Sequence, residues 1–361
     1  MAQTARGIFF TALLLGAGLL GAGLLVSISN AQSPTDVQNL QELILTESQT
    51  LDLKPGAYRY KILTLKANSK LRLFGSTSIL AGKVITEKGA RIEYVKGSSP
   101  QGQKILTLNA IDAAGLVDLT IIGSGANAPD YAPGQRAATG PAGEGAMSQL
   151  VTGAWYEVPY WKNRSASAGG SGTHGNPGRP GENAVDVTLY LPGLKPGATI
   201  VMETIGGRGG RGQDGGHGGQ GGGSARLHPA ATGGPGGPAG PGGRGGDAGK
   251  ISVFLVVAPA DVSKKDEIVK TINFRPSYGA GTGGEPGEPG GGGTKGDTSD
   301  HFCIGAGCGA EDGKPGAIAH PGPPGAGPQQ GEVNPQWASI DIMDLQTYQQ
   351  YIAQVWAKLS Q

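Results

Sequence analysis

Gly206-Gly207-Arg208-Gly209-Gly210-Arg211-Gly212-Gln213-Asp214-Gly215-Gly216-His217-Gly218-Gly219-Gln220-Gly221-Gly222 decides how the middle of this chain is read. Glycine falls on every third position, through Gly206, Gly209, Gly212, Gly215, Gly218 and Gly221, and on a second side as well. A polyproline-II backbone has three residues per turn and no internal hydrogen bonds, so residues three apart share one side. Glycine there lets a neighbouring backbone come close, and the freed N–H and C=O groups must find partners on that neighbour. The pattern predicts a bundle of such strands within one chain. This run is central in it, with Arg208, Arg211, His217 and Gln220 pointing outward.

The same period returns through Gly234, Gly237, Gly240, Gly243, Gly246 and Gly249, a second central strand by its doubled glycines. Gly172 to Gly181, Gly284 to Gly296 and Gly313 to Gly325 have one glycine side and belong at the edges. A weaker run passes Gly134, Gly140 and Gly143. Strand-like stretches separate the runs: Val185 to Leu191, Thr199 to Thr204, Ile251 to Val257 and Thr271 to Phe274. Disorder and a collagen triple helix are the competing readings. Disorder does not predict several in-phase runs flanked by strand formers, and frequent Gly-Gly-X triplets suit a triple helix poorly.

Upstream the texture differs. Apolar or alternating runs at Tyr60 to Lys66, Lys70 to Phe74, Ile79 to Ile85, Ala90 to Val95, Lys104 to Asn109 and Leu116 to Ile122 read as strands. Turn residues such as Asn68-Ser69 and Lys88-Gly89 punctuate them. Lys61-Ile-Leu-Thr-Leu echoes in Lys104-Ile-Leu-Thr-Leu, which suggests stacked coils, although a sandwich gives similar strings. At the far end Ile342, Leu345, Ile352, Val355 and Leu359 keep helical spacing, with Asp341 as cap and Lys358 in the last turn. The expected fold is thus mainly β plus polyproline-II. A small β domain, solenoid-like or sandwich, occupies 32–125, a Gly-rich polyproline-II bundle with interleaved strands 126–333, and an amphipathic helix 334–361.

Of 361 residues 68 are glycine and 25 proline, and the net charge is +1 with no block of like charges. No basic footprint invites nucleic acid. Arg6 followed by the apolar run Ile8 to Val26 and Ser29-Asn30-Ala31 reads as a signal peptide spanning 1–31, cleaved before Gln32. A retained anchor is the alternative, and membrane contact is expected only through such an uncleaved N-terminus. The chain is therefore expected to be exported by a bacterium, secreted, periplasmic or at the cell surface. In that oxidising setting Cys303 and Cys308 suggest a disulfide bond, with free thiols or a metal site including His301 as alternatives.

The Gly-Gly-Arg-Gly-Gly-Arg-Gly and Gly-Gly-Pro-Gly-Gly-Pro-Ala-Gly runs resemble the polyglycine-II bundles of Gly-rich antifreeze proteins and phage tail-fibre adhesins. Bacterial collagen-like secreted proteins are similar in carrying such tracts behind a signal peptide. The resemblance covers roughly 134–328 and implies a bundle with a structural or adhesive role. Outward Arg, His, Gln and Asp argue against ice binding.

No P-loop, nucleophile elbow or His-Glu-x-x-His is present. Gly209 to Asp214 and Gly242 to Asp247 match the start of a calcium nonapeptide, but Gly216 and Gly249 stand where it needs a bulky apolar residue. No cofactor or metal is expected. Glu87, Glu93, Asp112 and Asp118 are the carboxylates a polysaccharide-acting enzyme on the β domain would use. Trp155, Tyr156, Tyr160 and Trp161 concentrate the aromatics, as a core junction or as a ligand surface. Gly206, Gly209, Gly212, Gly215, Gly218, Gly234, Gly237, Gly240, Gly243 and Gly246 are the expected structural glycines. The function expected is a non-enzymatic structural or adhesive surface scaffold that meets a surface glycan or another surface protein. A carbohydrate-binding module and a polysaccharide-acting enzyme are the alternatives.

Overall fold

In the computed structural model, residues 41–97, 104–151, 160–225, 228–297, 311–329 and 336–359 are described. The signal-peptide and disulfide assignments, with Trp155 and Tyr156, lie outside them. Two parallel sheets organise the molecule. The first holds seven strands: β1 (Gln41–Leu45), β3 (Gly56–Leu65), β5 (Thr77–Thr86), β7 (Lys104–Leu116), β11 (Val185–Pro192), β13 (Ile251–Val257) and β15 (Ala338–Asp344). The second holds six: β2 (Thr50–Leu53), β4 (Lys70–Leu73), β6 (Arg91–Tyr94), β8 (Asp118–Ile122), β12 (Thr199–Ile205) and β14 (Asn273–Gly279). The chain visits the sheets alternately, so each coil lays one strand on each stack.

Alternation in the sequence builds the core between the sheets. Leu106, Val187 and Ile251 stack in register in the seven-stranded sheet, as do Leu108, Leu189 and Val253 on the row beside them. Leu71, Ile92, Ile121 and Met202 do the same opposite. All of these are buried, each contributing about 1.5–3 kcal/mol of burial. The turns repeat too. Ser48 and Asn68 adopt φ of 58° and 57°, and Gly89 stands at 78° at the same point of the next coil. Asn tolerates this left-handed region because its short side chain bonds locally.

A small β domain followed by a Gly-rich polyproline-II bundle is not what forms. The strands after position 125 are not spacers inside a bundle. Their apolar faces add five members to the same two parallel sheets, and helices are few. The glycine-rich segments are the connections that return the chain from the six-stranded sheet to the seven-stranded one, at 123–184, 206–250 and 280–337. In early coils the same connection is short, as at 74–76 between β4 and β5.

Each long connection runs out along one limb and back along another. Backbone hydrogen bonds tie the limbs at every third residue. The Gly210, Gly216 and Gly219 N–H groups donate to the Arg179, Thr173 and Gly170 carbonyls, while Gly212, Gly215 and Gly218 donate to Glu285, Glu288 and Gly291. An added Cβ at Gly212 would stand 2.1 Å from the Gly240 carbonyl oxygen, so only glycine fits.

The C-terminal helix is α2 (Leu345–Leu359). Ile342 is not on it but in β15, and Asp344 caps it, accepting the Thr347 N–H at 2.8 Å. Asp341 faces Lys265 instead, at 3.1 Å, from the short helix α1 (Lys265–Lys270). Tyr348 and Ile352 bury against the outer face of the seven-stranded sheet, where Tyr190 stacks on Phe254, Tyr348 and Tyr351.

Candidate functional site

The limbs end far from the sheets, and that end gathers features distant in sequence. The first connection carries there a separate antiparallel hairpin, β9 (Met147–Val151) and β10 (Tyr160–Arg164), in which Trp161 lies opposite Leu150. Tyr160 and Trp161 are thus residues of the hairpin's second strand. The Ala146 N–H donates to the Gly223 carbonyl, joining the hairpin to the tip of the second connection. The Ser224 N–H in turn donates to the Asp297 carbonyl (2.7 Å), and the Gly233 N–H to that of Glu311. Asp297 and Glu311 are the residues from which the chain leaves for and returns from the Cys303–Cys308 segment. The hairpin strands, Asp297 and Glu311 therefore meet at one end of the limbs, a convergence invisible in linear sequence.

Polar groups tie this end together. Arg164 donates to the Glu144 carboxylate at 2.7 Å and to the Gly145 carbonyl. Ser165 Oγ lies 3.4 Å from His228 Nδ1, and the buried His228 Nε2 has no partner among the described residues. Among the described residues nothing orients the imidazole as the third member of an activated nucleophile would.

Charge is buried midway along the limbs. Asp214 is 1% exposed and accepts the Gly134 N–H (3.0 Å), the Glu288 N–H (2.8 Å) and the Arg211 guanidinium (2.9 Å). Burial pushes its carboxyl up, yet these donors, with Arg211 and Arg136 nearby, hold it below the usual carboxylate range. Arg211 is consequently not an outward residue: its side chain is 14% exposed, whereas His217 and Gln220 do reach solvent. Asp247 has the same spacing at a half-buried position, accepting from the exposed Arg244 (2.5 Å) and from the Ala326 N–H (2.6 Å). Asp214 and Asp247 are the aspartates of the calcium-like matches. Among the described residues no cluster of three His, Cys, Asp or Glu could hold a metal. The actual signal is an Arg-x-x-Asp spacing that clamps limbs together.

The candidate carboxylates are dispersed among structural contacts. Glu87 binds Lys66 at 2.6 Å, Glu93 lies 3.8 Å from Arg91, and Asp118 accepts the Gly89 N–H. Glu182, which sequence reasoning passed over, pairs with Lys104 and accepts the Gly97 and Ala126 N–H groups. It pins the first glycine-rich connection to the sheet. Asp112 alone borders a cleft, of about 450 Å³ and also lined by Ile111, Leu194, Val257, Asp261 and Ile268. There Asp112 accepts the Ala114 N–H and Asp261 binds Lys264 at 2.9 Å. No described helix is long and apolar enough to cross a membrane.

No family model, curated protein or solved structure matches this chain.

Proposed function

We propose that the protein is an exported, non-enzymatic structural or adhesive scaffold of the bacterial surface, working without a cofactor and meeting a surface glycan or another surface protein. The observation that carries this reading is the shared end of the limbs. A two-sheet base and backbone-bonded limbs hold the aromatic hairpin and the flanks of the cysteine segment at one extremity, as a presenting surface requires. Rigid support of a binding group lowers the ordering entropy lost on contact. Buried charges hold limbs to one another and the first limb to the sheet.

Glycan-array and whole-cell binding by the exported protein tests this. Trp155→Ala with Trp161→Ala is expected to abolish binding while the circular dichroism spectrum stays unchanged. Binding that survives both changes would remove the tip from the reading. The enzymatic alternative rests on the cleft that Asp112 and Asp261 share. Polysaccharide turnover lost in Asp112→Asn or Asp261→Asn would replace the scaffold with a hydrolase. Export itself predicts a mature chain starting at Gln32, read by intact mass.

A further inference from the structure

We infer that the N-terminal end of the double stack is a pairing edge for a second copy of this chain. β1 and β2 are outermost in their sheets, and among the described residues no strand pairs with their far sides. Such an edge offers a row of N–H and C=O groups that templates another strand. The opposite end is guarded. β14, outermost there in the six-stranded sheet, contains Pro276, which has no N–H to donate. β15, outermost in the other, packs against a 3-10 turn (Pro259–Lys264) and α1. At the β1–β2 end the strands Gln41-Glu-Leu-Ile-Leu45 and Thr50-Leu-Asp-Leu53 hold neither proline nor lysine, and Ile44 is 51% exposed.

On the export reading, residues 32–40 precede β1 in the mature chain. Leu45 lies opposite Leu65, and Leu65 opposite Thr86, so a coil takes 20 or 21 residues. One coil before β1 the sequence reads Gly21-Ala-Gly-Leu-Leu25, and one coil before β2 it reads Asn30-Ala-Gln-Ser33, then Pro34. The first stretch lies in the apolar run read as removed on export and the second straddles the cleavage point, so this step rests on the export reading. A chain starting at Gln32 is too short to supply another coil. A two-fold axis through the edge sets β1 against its copy and β2 against its copy, both antiparallel, so one patch serves both partners.

The test is molar mass by light scattering on the exported protein at about 100 µM, since association follows mass action. Wild type is expected to be a dimer. Ile44→Lys with Thr50→Lys, both at exposed positions, sets like charges across the two-fold and is expected to give a monomer with an unchanged far-ultraviolet spectrum. If that pair fails to fold, Thr50→Lys alone carries the same test. A monomeric wild type, or a dimer untouched by the lysines, overturns the inference. An intact mass that still contains Ile8 to Val26 defeats the export reading separately, because it is read on the same sample whatever its molar mass.

Discussion

At the residue scale, the limbs are governed by what a single Cβ or charge would meet. A side chain at Gly212 would press on the carbonyl oxygens of Gly240 and Pro241, at 2.1 and 2.6 Å, and backbone cannot step aside as a side chain can. Gly212→Val is expected to destabilise the protein by about 2–4 kcal/mol in urea melts. Arg211→Ala looks harmless in sequence but leaves the buried Asp214 carboxylate without its nearest cation, at about 3 kcal/mol. Equal stability of Arg211→Ala and wild type would contradict that burial. Asp214 also sets an acid response. Its folded carboxyl is held below the unfolded value of about 3.9, so the unfolded state takes up the proton more readily. The stabilisation is full above that value and is lost as pH falls through the folded one. Urea melts from neutral to acid pH should show a steeper loss in wild type than in Asp214→Asn.

At the element scale, most strands of the two sheets were legible, though β1, β2 and β15 were missed, and their partnership was not legible. Alternation marks β4 to β8, β11, β12 and β13 in the sequence because each buries one face. Nothing local says that Val187 will lie on Leu106, some eighty residues away by number, with a long glycine connection between. The pentapeptide echo suggested stacked coils but not which rows stack: Leu108 lies over Ile79 and Tyr58, not over Leu65. Helix α2 was visible by its spacing, but its cap was misplaced: Asp341 lies inside β15, which continues through Asp344, and Asp344 is the cap. Asp344→Ala should lower stability through the lost cap. Tyr348→Phe should lower it by about 1 kcal/mol, because its hydroxyl donates to the buried Ala110 carbonyl at 2.5 Å. Thermal melts of both variants check this, and an unchanged melting point for Tyr348→Phe would dissociate the helix from the sheet beneath it.

At the scale of the molecule, period-three glycine was read for its close approach, while the sheets that anchor the limbs were underestimated as a small separate unit. Limbs and sheets are covalently alternate and bonded throughout, so both should melt together. Far-ultraviolet circular dichroism and tryptophan fluorescence from Trp337, which stacks on Lys250 beside β13, should give coincident transitions. Two separate midpoints would show the limbs melting on their own. The tie at every third residue also imposes a grammar on insertions and deletions. Tyr131 bonds the carbonyl of Arg211 and Ala137 that of Asp214, so one limb advances six residues while its neighbour advances three. The surplus triplet is bowed out over Asp214 and every later contact falls back into phase. Length in these limbs can thus change in whole triplets, whereas one added residue acts as a reading-frame error that drives side chains into carbonyls down the rest of the limb. A single glycine inserted after Gly215 should therefore lower the melting temperature more than three residues inserted at the same point, and the reverse order would show that phase does not matter.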